Sequence, residues 1–593
     1  MSEPNSETAD AWLAAAKDAE RRGELLEAYD IAERGLAAHP DSLWLKHRAV
    51  LVLARANATE QAARRFRDYG LGGETAEDIA ALEARIAKDR ALAVTGDERQ
   101  RRARHSAEIY RAIFDRTGSY YPGINAATMT LIAGDARGAA ALAGEVATIA
   151  KAGRDDPYYR AATAAEAALL QDDAVNARAA VAEAVAAASG DWAAIATTRK
   201  QLGLIVAIKG LPADVLAPLA APSVVHYCGH MIAAPGRSGR FPAAAERAVA
   251  DRIAREFSER HVGFGYGSLA SGGDILAAEA LIVRGAELHV VLPFAAEEFV
   301  ATSVAAGGPG WVERFRVCLA RARSVHYATE DAYLGDDLLF RYAAEMAMGL
   351  ALLRARYLDT AIAQLAVWDG RPNDAPAGTA VDVAAWRARG LPSIAIAPDR
   401  GATPPSAPAR SAPAAGRTIR AMLFGDVKGF SKLKDAELPR FVEHVLGRFA
   451  RVLARFGADI RFRNTWGDGL FVVLPTPAIA AACALELQTS LADIDYAAVG
   501  LPNYLALRLG GHVGPVYETR DPILGVENYF GAHVSRTARI EPVTPPGSVY
   551  VTEPFAAAIA LERDSGFACD YVGHMPAAKG YGNFRMYLLR ATR

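Results

Sequence analysis

The apolar positions divide the chain into three stretches with different periods. Up to about residue 220, Ala and Leu recur at helical spacing among Glu and Arg, which predicts packed helices. From 222 to 398, short apolar runs alternate with helical segments, as in a parallel sheet with crossover helices. From 418 onward the order is strand, helix, two strands, helix and strand. We therefore predict an α-helical repeat solenoid (1–220), a Rossmann-like α/β domain (222–398) and a ferredoxin-like α+β domain (418–593).

The first stretch contains a degenerate repeat. Four positions fit the tetratricopeptide pattern, in which a small residue lets two helices approach and a proline ends the second: Trp12, Gly23, Ala28 and Pro40. A step of five from a turn residue to alanine recurs at Gly134 and Ala139 and at Asp172 and Ala177. The stretch thus resembles tetratricopeptide repeats, which implies a surface for a protein partner. Residues 120–125 resemble a specific turn between helices, and the alternative is that they serve simple packing.

In the middle stretch, the strands are predicted at 223–228, 261–266, 287–293, 324–328 and 393–397, and the helices at 243–258, 274–285 and 336–356. One glycine-rich turn joins a strand to the helix that contains Glu279. Its candidate ligand residues are Gly267, Ser268, Gly272, Gly273 and Asp274.

A glycine-rich turn of this kind offers backbone N–H groups and the positive end of a helix dipole to an anion. The alternative is that the glycines only make a tight junction between strand and helix. The segment 268–293 resembles the SLOG group of Rossmann-like proteins, which implies a nucleotide-like ligand. It lacks the P-G-G-x-G-T-x-x-E signature of that group's phosphoribohydrolases, so that activity is not expected here.

Residues 399–417 contain Pro404, Pro405, Pro408 and Pro413 among Ala, Ser and Arg, which predicts an extended linker. The linker would separate an upstream sensor from a downstream output domain.

Composition narrows the function classes. The net charge of -2 and the pI of about 6.7 do not favour nucleic acid or an anionic membrane as a partner. The four cysteines lie far apart, as expected in a reducing compartment rather than in a disulfide or zinc framework. The first residues, MSEPNSETAD, are polar and acidic, unlike a signal peptide, and no apolar run has the roughly 18 residues of a membrane span. We therefore expect a cytoplasmic protein without a membrane segment.

The last stretch has two aspartates in glycine-containing turns after apolar runs. Asp426 lies in F-G-D-V-K-G-F-S (424–431), and Asp468 lies in N-T-W-G-D-G-L-F (464–471). A single aspartate of this kind is often only a turn former. Two of them at strand ends, however, could hold hard cations over a triphosphate.

These motifs resemble the class III nucleotide cyclases, the family of adenylyl and guanylyl cyclases. The first matches the family's F-x-D-[IV]-x-G-F-[ST] at every defined position, and 530–539 resembles the helix that ends in a phosphate-contacting arginine, Arg539. Lys579-Gly580-Tyr581-Gly582 resembles the family's closing K-G-x-G segment. The likeness covers 418–593.

The resemblance implies roles for individual residues. Asp426 and Asp468, with the Val427 carbonyl, would bind two Mg²⁺ or Mn²⁺ ions per site. Arg539 would neutralise charge on the α-phosphate, and Lys579 would hold the β- or γ-phosphate. The family also implies a homodimer with sites shared between the subunits.

Three positions depart from the family. Asn464 and Asn528 stand at the base-binding positions, and since a carboxamide can donate or accept, ATP, GTP and pyrimidine triphosphates all stay open. Ser535 replaces the family's asparagine four residues before Arg539. We predict an active cyclase regulated by its N-terminal domains. The alternatives are a catalytically idle scaffold, a surface arginine paired with Glu541 in the case of Arg539, and a solvated turn lysine in the case of Lys579.

Overall fold

The structure is a computed structural model that describes residues 8–154, 156–330, 332–372, 375–399, 416–523, 525–562, 564–578 and 582–592. The prolines of the predicted linker and residues 579 to 581 of the K-G-x-G segment lie outside the described residues. The predicted domain boundaries stay predictions.

The first stretch folds entirely into helices, as its helical spacing predicts. The helices are α1 (Ala9–Arg21), α2 (Leu25–Ala38), α3 (Leu43–Arg55), α4 (Thr59–Asp68), α5 (Glu77–Leu92), α6 (Gly96–Thr117), α7 (Tyr120–Ile132), α8 (Ala136–Ala152), α9 (Pro157–Leu170), α10 (Ala174–Ala187) and α11 (Trp192–Lys209).

The step of five marks the ends of these helices. Residues with positive φ stand five positions before alanines that are completely buried: Gly23 and Ala28, Asn57 and Ala62, Gly134 and Ala139, and Asp172 and Ala177. A left-handed residue ends one helix, and the alanine lets the next helix pack closely.

The prediction of a turn at 120–125 is wrong. These residues form the start of α7. Pro122 lies in the first turn of the helix, where its missing N–H is no loss. Gly123 serves packing rather than a turn, because a Cβ there would lie 2.7 Å from the Val146 side chain and 2.8 Å from that of Phe114.

The middle stretch forms a parallel six-stranded sheet in the order β4-β3-β2-β1-β5-β6. Its elements are β1 (Ser223–Gly229), α12 (Glu246–Glu259), β2 (Val262–Gly267), α13 (Gly273–Val283), β3 (Glu287–Leu292), α14 (Ala296–Phe299), α15 (Pro309–Arg321), β4 (Ser324–Tyr327), α16 (Leu338–Leu358), β5 (Ile362–Val367), α17 (Thr379–Ala388) and β6 (Ser393–Ile396). The strand β5 and the helices α14, α15 and α17 are not among the predicted elements. The strand order reverses between β1 and β5, which makes their carboxyl ends the topological switch point.

The last stretch has the predicted strand and helix order. Its elements are β7 (Arg417–Lys428), α18 (Leu438–Phe441), α19 (Gly447–Arg455), β8 (Phe462–Trp466), β9 (Gly469–Leu474), α20 (Pro477–Ala492), β10 (Ala506–Arg520), β11 (Glu527–Phe530), α21 (Ala532–Ile540), β12 (Ser548–Thr552), α22 (Glu553–Leu561), β13 (Phe567–Pro576) and β14 (Asn583–Ala591). The sheet runs β13-β14-β12-β10-β7-β9-β8, with β11 paired to β10.

The three stretches pack against one another. Helix α16 lies on α22 so closely that a Cβ at Gly349 would be 2.2 Å from the carbonyl oxygen of Ala557. The hydroxyl of Tyr342, also on α16, donates to the Val513 carbonyl at 2.8 Å. Arg354 at the far end of α16 donates to the Gly23 carbonyl at 2.7 Å. Helix α16 therefore connects the helical stretch to the C-terminal sheet.

In the part of the chain that the structure describes, every helix is too short or too polar to cross a bilayer.

Candidate active site

The two motif aspartates meet at one end of the C-terminal sheet. Asp426 lies near the end of β7, and Asp468 lies in the turn between β8 and β9 after Gly467, whose φ is 63°. Both line a cavity of about 430 Å³ together with residues 427 to 432, Tyr504 and Arg508. Burial and the negative charge of Asp426 raise the pKa of Asp468. The site thus concentrates negative charge in a partly desolvated place.

The sequence analysis missed two members of this site. Arg508 on β10 is the direct cross-strand partner of Asp426, and it makes ion pairs of 2.8 Å with Asp426 and 2.9 Å with Glu541. Burial, followed by the charge of Asp426, raises the pKa of Glu541 to about 7. The alternative for Arg539 pairs it with Glu541, whereas in the structure Glu541 pairs with Arg508.

The oxygen atoms of this cluster fit a cation. Asp426, Asp468 and Glu541 supply carboxylates, next to the positive charges of Arg508 and of two lysines that line the cavity. Divalent cations prefer carboxylate oxygens. The residues placed to hold such ions are Asp426, Asp468 and Val427. The Val427 N–H donates to the Asp468 carboxylate.

Ser535 and Arg539 lie one helical turn apart on α21, on the face opposite to the buried His533 and Thr537. Ser535 is exposed and Arg539 is partly buried. Neither residue lines the cavity at Asp426 and Asp468. Helix α21 ends beside the metal ligands, since Glu541 follows it directly and pairs with Arg508, whereas Ser535 and Arg539 do not line this cavity.

The predicted base-binding residues also lie outside this cavity. Asn464 is exposed on β8, and its side-chain oxygen accepts from the Thr465 N–H at 2.8 Å. Asn528 on β11 donates to Asp521 at 2.9 Å. Lys579 lies outside the described residues, between the ends of β13 and β14.

The glycine-rich turn of the middle domain is not a set of free N–H groups. The Ala270 N–H donates to the Asp274 side chain, and the Ser271 N–H donates to the Ser303 carbonyl. The Gly273 N–H donates to the His230 carbonyl. The expectation of an open anion cradle is wrong at these positions, because the segment after β1 covers the start of α13. A Cβ at Gly272 would lie 2.5 Å from the Ile232 nitrogen and 2.6 Å from the His230 oxygen, so the glycine serves this close approach.

The other candidate ligand residues of the glycine-rich turn, and Glu279 in the helix after it, have different surroundings. Glu279 points to α15, where both of its oxygens bind Arg314 at 2.6 and 2.7 Å. Gly267 packs against Tyr227, and Ser268 has a buried hydroxyl without a hydrogen-bond partner. Asp274 is buried beside the switch point, and burial raises its pKa to about 7. Of the predicted cradle, Ser268 and Asp274 keep the polar atoms that a ligand could use.

Residues 417–591 match the family model of the adenylate and guanylate cyclase catalytic domain. This part of the chain is a class III nucleotide cyclase domain. Residues 11–130 match the model of the tetratricopeptide repeats-sensor family, TPR-S, which confirms the repeat prediction. The SLOG resemblance of the middle domain stays a prediction. No curated protein matched the chain.

Solved structures similar to the cyclase domain include the adenylyl cyclase CyaB from P. aeruginosa, with 16% identity, a TM-score of 0.27, and coverage of 30% of this chain and 96% of that one. A guanylate cyclase domain of RhGC from Catenaria anguillulae, solved with GTP, has 18% identity, a TM-score of 0.26, and coverage of 30% and 100%. A dimeric guanylyl cyclase domain of RhoGC from Blastocladiella emersonii has 16% identity, a TM-score of 0.26, and coverage of 30% and 100%.

Proposed function

We propose that the protein converts a nucleoside triphosphate into a 3′,5′-cyclic nucleotide and pyrophosphate. The observation that carries this proposal is the convergence of the Asp426 and Asp468 carboxylates on one cavity within a cyclase domain. In the reaction, the ribose 3′-oxygen bonds to the α-phosphorus, the bond from that phosphorus to the bridging oxygen breaks, and the 3′-hydroxyl loses its proton. Bound Mg²⁺ or Mn²⁺ supplies Lewis acidity toward the phosphate oxygens.

The residues of the chain then have separate tasks. Asp426 and Asp468 hold the cations, and Arg539 stabilises charge that grows on the α-phosphate oxygens. Lys579 binds the terminal phosphates, as the family resemblance implies. Ser535 donates a hydrogen bond where the family has an asparagine, and Asn464 and Asn528 contact the base.

We infer that each site forms between two copies of the chain. Ser535 is exposed on α21, and neither it nor Arg539 lines the cavity at the metal ligands of its own chain, which supports a site completed by a second copy. Two large apolar side chains of the cyclase domain, Trp466 at 91% exposure and Ile523 at 92%, are available to be covered in such a dimer. Two copies related by a two-fold axis would form two equivalent sites.

The experiment that tests the activity uses the purified full chain, Mn²⁺ and each of the four nucleoside triphosphates, with products identified by mass spectrometry. We expect a cyclic nucleotide and pyrophosphate from at least one of them, and this result also identifies the base. Binding of a triphosphate without any product would support the idle scaffold instead.

A second proposal concerns the middle domain. Asp274 has a buried oxygen without a hydrogen-bond partner, and it lies beside the switch point, where ligands bind in open α/β sheets. We propose that a nucleotide-like ligand there, or a protein partner on the helical repeats, regulates the cyclase domain. Isothermal titration of the full chain with each nucleotide, compared with Asp274→Asn, tests the ligand. A cytoplasmic location stays a prediction.

A further inference from the structure

Three side chains with metal-binding chemistry meet between the helical domain and the middle sheet. Glu24 directly precedes α2, and Glu287 and His289 lie on β3. One ligand atom from each lies within 4.8 Å of the other two. The His289 Nε2 is 3.4 Å from a Glu287 oxygen and 3.8 Å from the Glu24 Oε1. These contacts bring together residues more than 260 positions apart in the sequence.

Two of these atoms are buried and lack hydrogen bonds. The His289 side chain is only 5% exposed, and its Nε2 has no hydrogen-bond partner in the structure. The same holds for the Glu24 Oε1 that faces it. A buried polar atom without a partner is destabilising, so the arrangement favours a cation between these atoms.

A hydrogen-bond chain orients the imidazole. The His289 Nδ1 lies 2.9 Å from the Ser324 hydroxyl, which lies 3.0 Å from the His326 Nε2. The His326 Nδ1 lies 3.2 Å from Glu553, the first residue of α22. Since a carboxylate only accepts, the His326 Nδ1 donates. With neutral rings, Ser324 then donates to His326, and the His289 Nδ1 donates to Ser324. The lone pair of the His289 Nε2 therefore faces the two carboxylates.

Arg354 on α16 contacts both carboxylates. Its guanidinium is 3.0 Å from the Glu24 Oε2 and 3.1 Å from the Glu287 Oε2, the oxygen that also lies 3.4 Å from the His289 Nε2. The Glu24 Oε1 is left facing His289. A carboxylate with one oxygen on an arginine and the other on an ion is a common arrangement around bound metals.

We propose that Glu24, Glu287 and His289 bind a divalent transition-metal ion of the Zn²⁺ class. Metal–ligand distances of about 2.0 to 2.2 Å place neighbouring ligands roughly 3.0 to 3.5 Å apart, close to the observed separations. The imidazole favours a transition ion over Mg²⁺ or Ca²⁺. A water molecule can complete the coordination from a cavity of about 290 Å³ that Glu24 and His289 line. The ion would tie α2 to β3 and, through Arg354, to α16.

The test uses the full chain carrying Asp426→Ala and Asp468→Ala, so that the cyclase site contributes no metal. After chelation, loading with Zn²⁺ and desalting, we expect one zinc per chain by elemental analysis. Loading with Co²⁺ instead should give the visible absorption of a bound ion. Either Glu24→Gln or His289→Phe, which keeps the stacking on Tyr266, should lower the retained zinc at least about tenfold, as loss of a ligand predicts.

The matched control is Glu27→Gln. Glu27 lines the same cavity but pairs with Arg323, so its variant should retain zinc like the parent. Circular dichroism checks that each variant is folded. A parent chain that retains no zinc and shows no Co²⁺ absorption overturns the proposal. Folded Glu24→Gln and His289→Phe variants that retain as much zinc as the parent chain also overturn the proposal. The cyclase assay is independent of both results.

Discussion

At the scale of single residues, catalysis rests on Asp426 and Asp468. Replacing either by alanine removes half of the paired carboxylates at the cavity and leaves Arg508 as a competing positive charge. Metal ions supply several kcal/mol of transition-state stabilisation, so we expect each variant to lose more than about a hundredfold in turnover. Rates of cyclic nucleotide formation at saturating Mn²⁺ provide the measurement. Asp435→Ala, an exposed aspartate of the same domain, is the control and should keep the parent rate.

Arg508 and Glu541 show what the sequence leaves out at this scale. The two aspartates were predictable because each lies in a local motif of a few residues. Arg508 reaches Asp426 only because β10 pairs with β7 in a particular register, and Glu541 reaches Arg508 only because α21 ends beside that strand. Register and helix placement depend on the packed sheet, so no local pattern marks these residues.

A second prediction at residue scale concerns Asp382 on α17. Burial, together with the nearby Asp274, raises the pKa of its carboxyl group to about 8, against about 3.9 in the unfolded chain. Between these values the folded state holds a proton that the unfolded state has released. The free energy of unfolding therefore falls as the pH rises from about 4 to 8.

Asp382→Asn removes this proton. We expect the variant to be more stable than the parent at pH 8, by at least about 1 kcal/mol, and similar to it near pH 4. Melting temperatures of the full chain across this range provide the measurement, with the exposed Asp251→Asn as control. An equal slope of melting temperature against pH in parent and Asp382→Asn would contradict this account.

At the scale of elements, the periodicity predicted most helices and strands but not β5. Gln364 stands in the middle of this strand, which interrupts the apolar run Ile362–Val367 that would have marked it. The structure places Gln364 in the interior, where it lies 3.3 Å from the His226 Nδ1 and accepts from Ser393 at 3.1 Å. A polar residue can occupy a central strand once neighbouring strands supply its partners, and these partners come from β1 and β6.

The contact between α16 and α22 gives a prediction at this scale. A side chain at Gly349 must push the two helices apart, because its Cβ would meet the Ala557 carbonyl at 2.2 Å. We expect Gly349→Ala to destabilise the full chain by about 1 to 3 kcal/mol, as overpacking does. It should also change the basal cyclase rate if α16 transmits regulation.

Gly447→Ala on α19 is the matched control, since the nearest atom to its Cβ would be at 3.7 Å. Thermal unfolding and the basal rate are measured for both variants. Equal melting temperatures for Gly349→Ala and Gly447→Ala would show that the two helices separate at little cost.

At the scale of the whole molecule, the order of the three architectures was predictable because each has its own period. Their packing was not, because it depends on single contacts such as that of Tyr342 with Val513 and that of Arg354 with Gly23. The face of α21 that carries Ser535 is not covered by these contacts and is exposed to solvent. A second copy of the chain can therefore reach this face while α16 stays in place.

The last prediction tests this shared site. Asp426→Ala lacks a metal ligand, and Arg539→Ala lacks the phosphate-binding arginine, so each variant alone should be nearly inactive. In a mixed dimer, one of the two sites receives both defects and the other receives neither. Mixing the variants in equal amounts should restore about a quarter of the parent rate, because half of the dimers are mixed and each has one intact site. Rates across mixing ratios should peak at equal amounts. A mixture no more active than its components, under conditions where the chains exchange, would mean that each site lies within one chain.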